Sequence, residues 1–176
     1  FTLPDCDDAL CLPVYYHAES EIALRLHQLM TSRPYKRVRG VDKRIADYEK
    51  ELGVSFSPRQ KQAIQSAVEE GVLVITGGPG TGKTTIIRCI LELLKEDHDI
   101  LLCAPTGRAA KRMGEATGEE AKTIHRLLEA SIDPATGEMV FLRDEDNPIK
   151  ADAVIVDEMS MVDVLLLYSL LRAIPE

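Results

Sequence analysis

The stretch "VLVITGGPGTGKTT" (residues 72–85) decides the fold. Val72 to Thr76 form a continuous run rich in β-branched residues, the pattern of a parallel strand buried on both faces. Gly77 to Thr84 then fill every fixed position of the pattern GxxxxGK[ST]. Glycine is needed there because successive backbone N–H groups must curl around phosphate oxygens with no Cβ in the way. "TTIIRCILELLKE" follows as an amphipathic helix. Its N-terminus carries roughly half a positive charge and is aimed at the same anion. Lys83 is expected to reach the β- and γ-phosphates of a nucleotide, and the Thr84 hydroxyl to ligate Mg²⁺. A glycine-rich loop set between a buried strand and a helix is the context that confirms the pattern.

The rest of the chain repeats the same alternation. "DILLCAP" (99–105) reads as a second buried strand, "TGRAAKRMGEAT" (106–117) as a helix, and "TIHRLLEA" (123–130) as a short helix. "DPATGEMVFL" (133–142) has turn residues between apolar pieces and predicts a small hairpin. "ADAVIVDE" (151–158) is a third buried strand, and "VDVLLLYSLLRAI" (162–174) a closing helix. Strand and helix in alternation predict an α/β phosphate-loop domain, a parallel sheet with helices on both faces. Upstream the reading is helical. Ile22, Leu26, Leu29 and Met30 place one amphipathic helix over 18–31, and Ile45, Tyr48 and Leu52 place another over 42–52, stopped by Gly53. Between them "SRPYKRVRGVDKR" (32–44) reads as a connection. In "SPRQKQAIQSAVEEG" (57–71), Ser57 is a natural N-cap and Pro58 suits the first helical position.

Composition narrows the class. Of 176 residues 45% are hydrophobic and 28% charged, a globular balance, and no apolar run approaches the ~18 residues of a membrane span. The N-terminus, "FTLPDCDDAL", lacks a signal-peptide pattern, and with the abrupt ending "LLRAIPE" the chain reads as a fragment. A formal charge of −8 argues against a surface coated for nonspecific duplex binding. It leaves room for a narrow basic track. Arg33, Lys36, Arg37, Arg39, Lys43 and Arg44 form one basic group, Arg108, Lys111 and Arg112 another, and a solvated surface is the plain alternative for either. Cys6, Cys11, Cys89 and Cys103 show no metal-site or disulfide spacing, which fits a reducing, cytoplasmic setting.

A nucleotide site needs an acidic group at the end of a neighbouring strand, and "AVIVDE" supplies it. Asp157 is expected to hold Mg²⁺ and Glu158 to polarise an attacking water, which implies hydrolysis rather than transfer. Three further segments bear on what hydrolysis drives. Gln60, upstream of the first strand, has an amide able to donate to and accept from an adenine edge, although a solvent-facing glutamine would look the same. "LLCAPTGRAAKRM" opens a strand into a Pro-Thr-Gly turn and a basic helix start, where hydroxyl and N–H groups can hold a nucleic-acid phosphate. "KTIHRLLEA" places His125 at a helix start.

The ordered set "SPRQKQAI", "ITGGPGTGKTT", "LLCAPTGRAAKRM", "TIHRLL" and "VIVDEMSMVD" resembles the Q motif and motifs I, Ia, Ib and II of superfamily I DNA helicases. The wording is similar to the RecD-like branch, which includes the exonuclease V alpha-subunit relatives. The resemblance covers about residues 55 to 170 strongly and the first 50 loosely. It implies an ATP-driven motor moving 5′ to 3′ on single-stranded DNA in recombination or repair, with helicase–nuclease subunits as candidate partners. It implies a RecA-like fold, with residues 1–52 as the end of a preceding region and 53–176 as an incomplete first motor domain. By position, Gln60 would contact adenine. Gly77, Gly78, Pro79, Gly80, Thr81, Gly82, Lys83, Thr84 and Thr85 would hold ATP and, through Thr84 with Asp157, Mg²⁺. Lys83, Asp157 and Glu158 would be catalytic, and Thr106, Gly107, Arg108 and His125 would lie along DNA.

The chain departs from the family by stopping before the Gly-Asp-x-x-Gln-Leu segment and the second motor domain with its arginine finger. The expectation is that the 176 residues alone bind ATP·Mg²⁺ weakly and turn it over poorly. Two other readings stay open at this point: an AAA-type loader or remodeller, which also carries "GPGTGKT" and "DE", and a non-catalytic nucleotide-binding module.

Overall fold

A computed structural model describes residues 2–3, 6–31, 38–78 and 80–175, with side chains from residue 10 onward. Arg33, Lys36 and Arg37 of the first basic group, Pro79 of the loop and the side chain of Cys6 lie outside the described residues. The elements run β1 (Thr2–Leu3), β2 (Cys6–Leu10), α1 (Pro13–Thr31), α2 (Val41–Leu52), α3 (Pro58–Glu69), α4 (Lys83–Leu94), β3 (Ile100–Ala104) and α5 (Gly107–Thr117). They continue with β4 (Ala121–Thr123), α6 (Ile124–Leu127), β5 (Ala130–Ile132), β6 (Met139–Phe141), β7 (Ala153–Val156), a 3₁₀ turn over Met159–Met161 and α7 (Val164–Ala173).

The sheet that positions the site is parallel, in the order β4-β3-β7. β3 is central, with Cys103 and Ala104 fully buried. Its registers set Ala104 against Thr123 of β4 and Cys103 against Val156 of β7. Two small antiparallel pairs, β1 with β2 and β5 with β6, stand apart from it, the second being the hairpin expected at 133–142.

One expectation is overturned. Residues 72–76 join no strand in the described structure, although the run reads as a buried strand. Ile75 packs against the core beneath α4, yet Leu73 is 38% and Val74 78% exposed. A strand is held by ladder hydrogen bonds to a neighbour, and no described strand pairs with this run. In its place the third parallel strand is β4, a three-residue piece too short and too polar to be legible. α1 also starts earlier than expected, at Pro13, where proline suits a first helical turn.

Two packed layers flank the sheet. On one side α4 presents Ile86, Cys89, Ile90, Leu93 and Leu94 to Ile45 and Tyr48 of α2, Phe56, and Ile64 and Val68 of α3. On the other, Leu166 and Leu170 of α7 meet Cys103, Ile124 and Leu128. The α2–α3 corner is fixed by backbone chemistry. Gly53 takes a left-handed conformation (φ 62°) that returns its N–H to Glu49, as a helix-ending glycine does. Ser57 and Gln60 then form a capping box at the start of α3, with Pro58 just inside it. Arg44, one of the first basic group, donates to the Glu92 carbonyl at 2.9 Å and so ties α2 to α4. Burial pushes the Cys89 thiol up to about 11 and the Cys103 thiol up to about 12, so both stay protonated and pack as small apolar groups.

The same corner holds one charge and one orphan. The Glu49 carboxylate accepts the Phe56 N–H at 2.7 Å and the Lys61 ammonium at 2.8 Å. The Lys61 bond first, then the Phe56 bond, hold its pKa below the ordinary glutamate value. A carboxyl depressed in the folded state contributes stability that is complete above its unfolded pKa and is lost as pH falls through its folded one. The acid limb of a stability–pH curve should therefore flatten in E49Q, which urea titrations between pH 7 and 3 would read; a limb identical to wild type would refute the linkage. Tyr48, 8% exposed, buries a hydroxyl that has no hydrogen-bond partner among the described residues. An unpaired buried polar group costs roughly 1–3 kcal/mol. Y48F keeps the ring against Phe56 and should raise the unfolding free energy by about 1 kcal/mol; a loss of that size in urea unfolding would show that the hydroxyl is satisfied.

Candidate nucleotide and nucleic-acid site

The loop between Ile75 and α4 is built around its own carbonyl groups. Lys83 Nζ donates to the Gly77 oxygen at 2.6 Å and the Gly78 oxygen at 3.0 Å. Thr81 Oγ1 donates to the Gly78 oxygen at 2.9 Å. The Gly77 and Gly78 carbonyls are thus held by side chains of the loop and of α4. Gly80 and Gly82 lie at φ 75° and 80°, a region costly for any residue with a Cβ. At Gly78 and Gly80 a built Cβ would meet nothing within 4 Å, so the space beside them is open, whereas at Gly77 it would come within 2.7 Å of Thr81 Oγ1. Gly82 caps α4, and Ile86 N–H returns to its carbonyl at 3.0 Å, so the helix begins at the loop's edge. Thr84 is exposed and Thr85 half-buried on the first turn.

The acidic pair stands where β7 ends. Asp157 N–H donates to the Cys103 carbonyl at 3.0 Å, extending the ladder one residue beyond the strand. Its Oδ1 accepts the Glu158 N–H at 2.8 Å. Glu158 is exposed and left-handed (φ 54°, ψ 40°), an uncommon conformation for a non-glycine residue. Strain of this kind collects at functional sites. Asp163 then caps α7 by accepting from Leu166 N–H.

Thr106 and His125 leave the same end of the sheet. The register Ala104↔Thr123 places Thr106 two residues past β3 and His125 two residues past β4, side by side with Asp157 past β7. The carboxyl ends of parallel strands are where α/β sheets bind ligands. Thr106 Oγ1 caps α5 by accepting from Ala109 N–H at 3.2 Å, leaving Gly107 and Arg108 exposed on its first turn. Lys111 and Arg112 are exposed on the next, Lys111 lying 3.8 Å from Glu115. The His125 ring is half-buried against Phe141 of the hairpin, centroids 5.7 Å apart.

Gln60 is half-buried and hydrogen-bonded at both ends of its amide. Its Oε1 accepts the Ser57 N–H at 2.7 Å, and its Nε2 donates to the Thr81 carbonyl at 3.0 Å. Ser57 is the residue at the site that the sequence reading treated only as a helix cap; the Ser57-x-x-Gln60 spacing of a capping box was the available signal. Thr81 is expected among the ATP-holding residues, but nothing local in the sequence signals its carbonyl bond to Gln60. Among the described residues no cluster of three or more His, Cys, Asp or Glu side chains could hold a metal alone. Thr84 and Asp157 are the side chains chemically suited to Mg²⁺, which takes one or two protein oxygens and completes its shell with phosphate and water.

Comparison with known proteins places the chain in a family. The AAA domain family matches residues 60–176. The chain is 34% identical over 165 residues to the ATP-dependent RecD2 DNA helicase of Deinococcus radiodurans, covering 93% of this chain and 22% of that protein. It is 34% identical over 192 residues to the RecBCD enzyme subunit RecD of Mycobacterium tuberculosis, covering 96% and 31%. With the RecD of Haemophilus influenzae it shares 34% over 140 residues, 65% of this chain and 21% of the relative. The chain thus spans less than a third of the length of each of these relatives. The match runs through the phosphate loop, the acidic pair and the strand-end residues: the chain belongs to the AAA domain family, as a RecD-like member.

Proposed function

We propose that this chain is the nucleotide-binding part of an ATP-dependent DNA helicase or translocase acting in recombination or repair. The observation that carries the reading is the common edge of the sheet, where the Asp157–Glu158 pair emerges beside Thr106 and His125. ATP hydrolysis and a DNA track are thereby mounted on neighbouring strand ends. The RecD and RecD2 names of the relatives support the same reading.

In finer terms, single-stranded DNA is the track, travel is 5′ to 3′, and other subunits of a helicase–nuclease are partners. Residues 53–176 form the first motor domain and 1–52 the end of a preceding region. The setting is cytoplasmic; no helix among the described residues is long and apolar enough to cross a membrane. Gly77, Gly78, Gly80, Gly82 and the first turn of α4 receive the phosphates, which Lys83 approaches once its ammonium leaves the Gly77 and Gly78 carbonyls. Bound Mg²⁺ neutralises charge on the transferring phosphate. Glu158 orients the attacking water and takes its proton. Gly107 and Arg108 at the start of α5 hold a DNA phosphate through backbone N–H and charge.

Turnover by the protein that contains this chain should rise with single-stranded DNA. Glu158→Gln should cut that ATPase by ~10²–10⁴-fold, the usual worth of a general base, with ATP binding retained. Lys83→Ala should abolish binding as well. Stimulation by a protein client and not by DNA would favour a loader or remodeller, and wild-type turnover in E158Q would remove the assigned role. The 176-residue chain alone, at under a third of its relatives' length, should bind ATP·Mg²⁺ weakly and show no DNA-stimulated turnover; a robust stimulated rate from it would refute this.

A further inference from the structure

The hairpin of β5 and β6 buries little of its own surface, with Ile132 63% and Met139 55% exposed. A two-stranded hairpin is marginal in water by itself, so its direction is set where it joins the body. That junction is dense in hydrogen bonds. Leu142 and Arg143 both donate their N–H groups to the Leu128 carbonyl, at 3.1 and 3.2 Å. The Leu142 carbonyl accepts Asn147 Nδ2 at 2.7 Å. The Arg143 guanidinium reaches three acceptors: Glu129 Oε1 at 2.7 Å, Asn147 Oδ1 at 3.1 Å and the Pro148 carbonyl at 3.4 Å. Glu129 carries the chain from α6 into β5 at φ 54°, a conformation uncommon for a non-glycine residue. One planar fork thus joins the residue that enters the hairpin to the loop that leaves it.

Just inside this junction lies Phe141, paired with Ala130 at the base of the hairpin. Its ring packs against the His125 ring, centroids 5.7 Å apart, and against the core that includes Ile124 and Leu128. His125 belongs to a helix of only four residues, so the place of its ring depends on what it packs against. We propose that Arg143 is a positioning residue for the DNA response: it fixes the base of the hairpin and, through Phe141, the His125 ring past the end of β4. The bonds within the phosphate loop and the acidic pair do not involve Arg143, so its loss acts on the response to DNA and spares the handling of ATP. The inference rests on the helicase reading above, in which His125 lies along the DNA, and its test separates the two.

The test is the ATPase of the protein that contains this chain, titrated with single-stranded DNA. Arg143→Ala should raise the DNA concentration for half-maximal stimulation roughly 3- to 10-fold, the worth of one hydrogen bond. The DNA-free rate and the KM for ATP should stay unchanged. The deciding measurement is the same substitution made in a His125→Ala background. If Arg143 acts through the imidazole, H125A raises that concentration by itself and R143A adds nothing further, because effects passed along one set of contacts are not additive. Phe141→Leu, which interrupts the relay and leaves the guanidinium in place, should behave as R143A does, and it takes over the test if R143A no longer unfolds cooperatively. Equal shifts from R143A with and without His125 would overturn the proposal, as would a wild-type DNA response in R143A or in H125A. A raised KM for ATP in R143A would overturn it too, showing a general loosening of the domain. If single-stranded DNA does not stimulate the wild type, the helicase reading itself has failed, and this proposal falls with it.

Discussion

The burial of α4 is the constraint on which the other parts depend. Ile86, Cys89, Ile90, Leu91, Leu93 and Leu94 are all buried on a twelve-residue helix, so the helix cannot turn or slide without exposing apolar surface on both flanks. Burying one such side chain stabilises the fold by about 1.5–3 kcal/mol. α4 meets α2 and α3 through one part of this surface and Leu102 and Met113, of β3 and α5, through another. Its first residue is Lys83. A helix held this firmly delivers its N-terminal N–H groups to a fixed place, and the phosphate loop inherits that place. The loop is tied to the helix behind it by Lys83 and to the start of α3 by the Gln60–Thr81 bond.

Parallel pairing does the second part of the arrangement. Because β3 runs in the same direction as both neighbours, each connection returns over a face of the sheet and each functional residue leaves at the same edge. Thr106, His125 and Asp157 are 19 and 32 positions apart in sequence, and each follows the C-terminal end of one of the three paired strands. Antiparallel pairing would send alternate ends to opposite edges. The direction of the ladder, and no contact among these side chains, brings the acidic pair beside the basic start of α5.

Much of this was legible because its signals are local. The spacing in "GGPGTGKT" requires neighbouring glycines, "SPRQ" announces a helix start by its own hydrogen bonds, and "AVIVDE" shows an apolar run ending in acid. Residues 72–76 misled because β-branched composition reports suitability for a sheet and not the presence of a partner strand. β-propensity is context, supplied by neighbours. β4 was missed for the converse reason: Ala121, Lys122 and Thr123 have no periodicity, and pairing to β3 alone makes them a strand. The Gln60–Thr81 bond joins residues 21 apart through a side chain and a carbonyl, and no pattern in sequence encodes a carbonyl's direction.

Stability is unevenly spread, and the spread follows the chemistry. α1 buries Ala18 alone, holding to α7 through Arg25, which donates to the Leu171 and Ile174 carbonyls, and through His17 set edge-on to Tyr168. Arg25 here does for α7 what a basic residue does at any helix C-terminus, satisfying carbonyls left over when the ladder stops. The Arg25 bonds are part-buried, whereas α4 is held by hydrocarbon on two sides. Segments with few buried apolar groups open at lower free energy than those with many. α1, with one buried side chain, should therefore open at lower free energy than α4, with six. The phosphate loop is joined to the helix with the larger buried surface, and the acidic pair follows a strand paired to the buried β3.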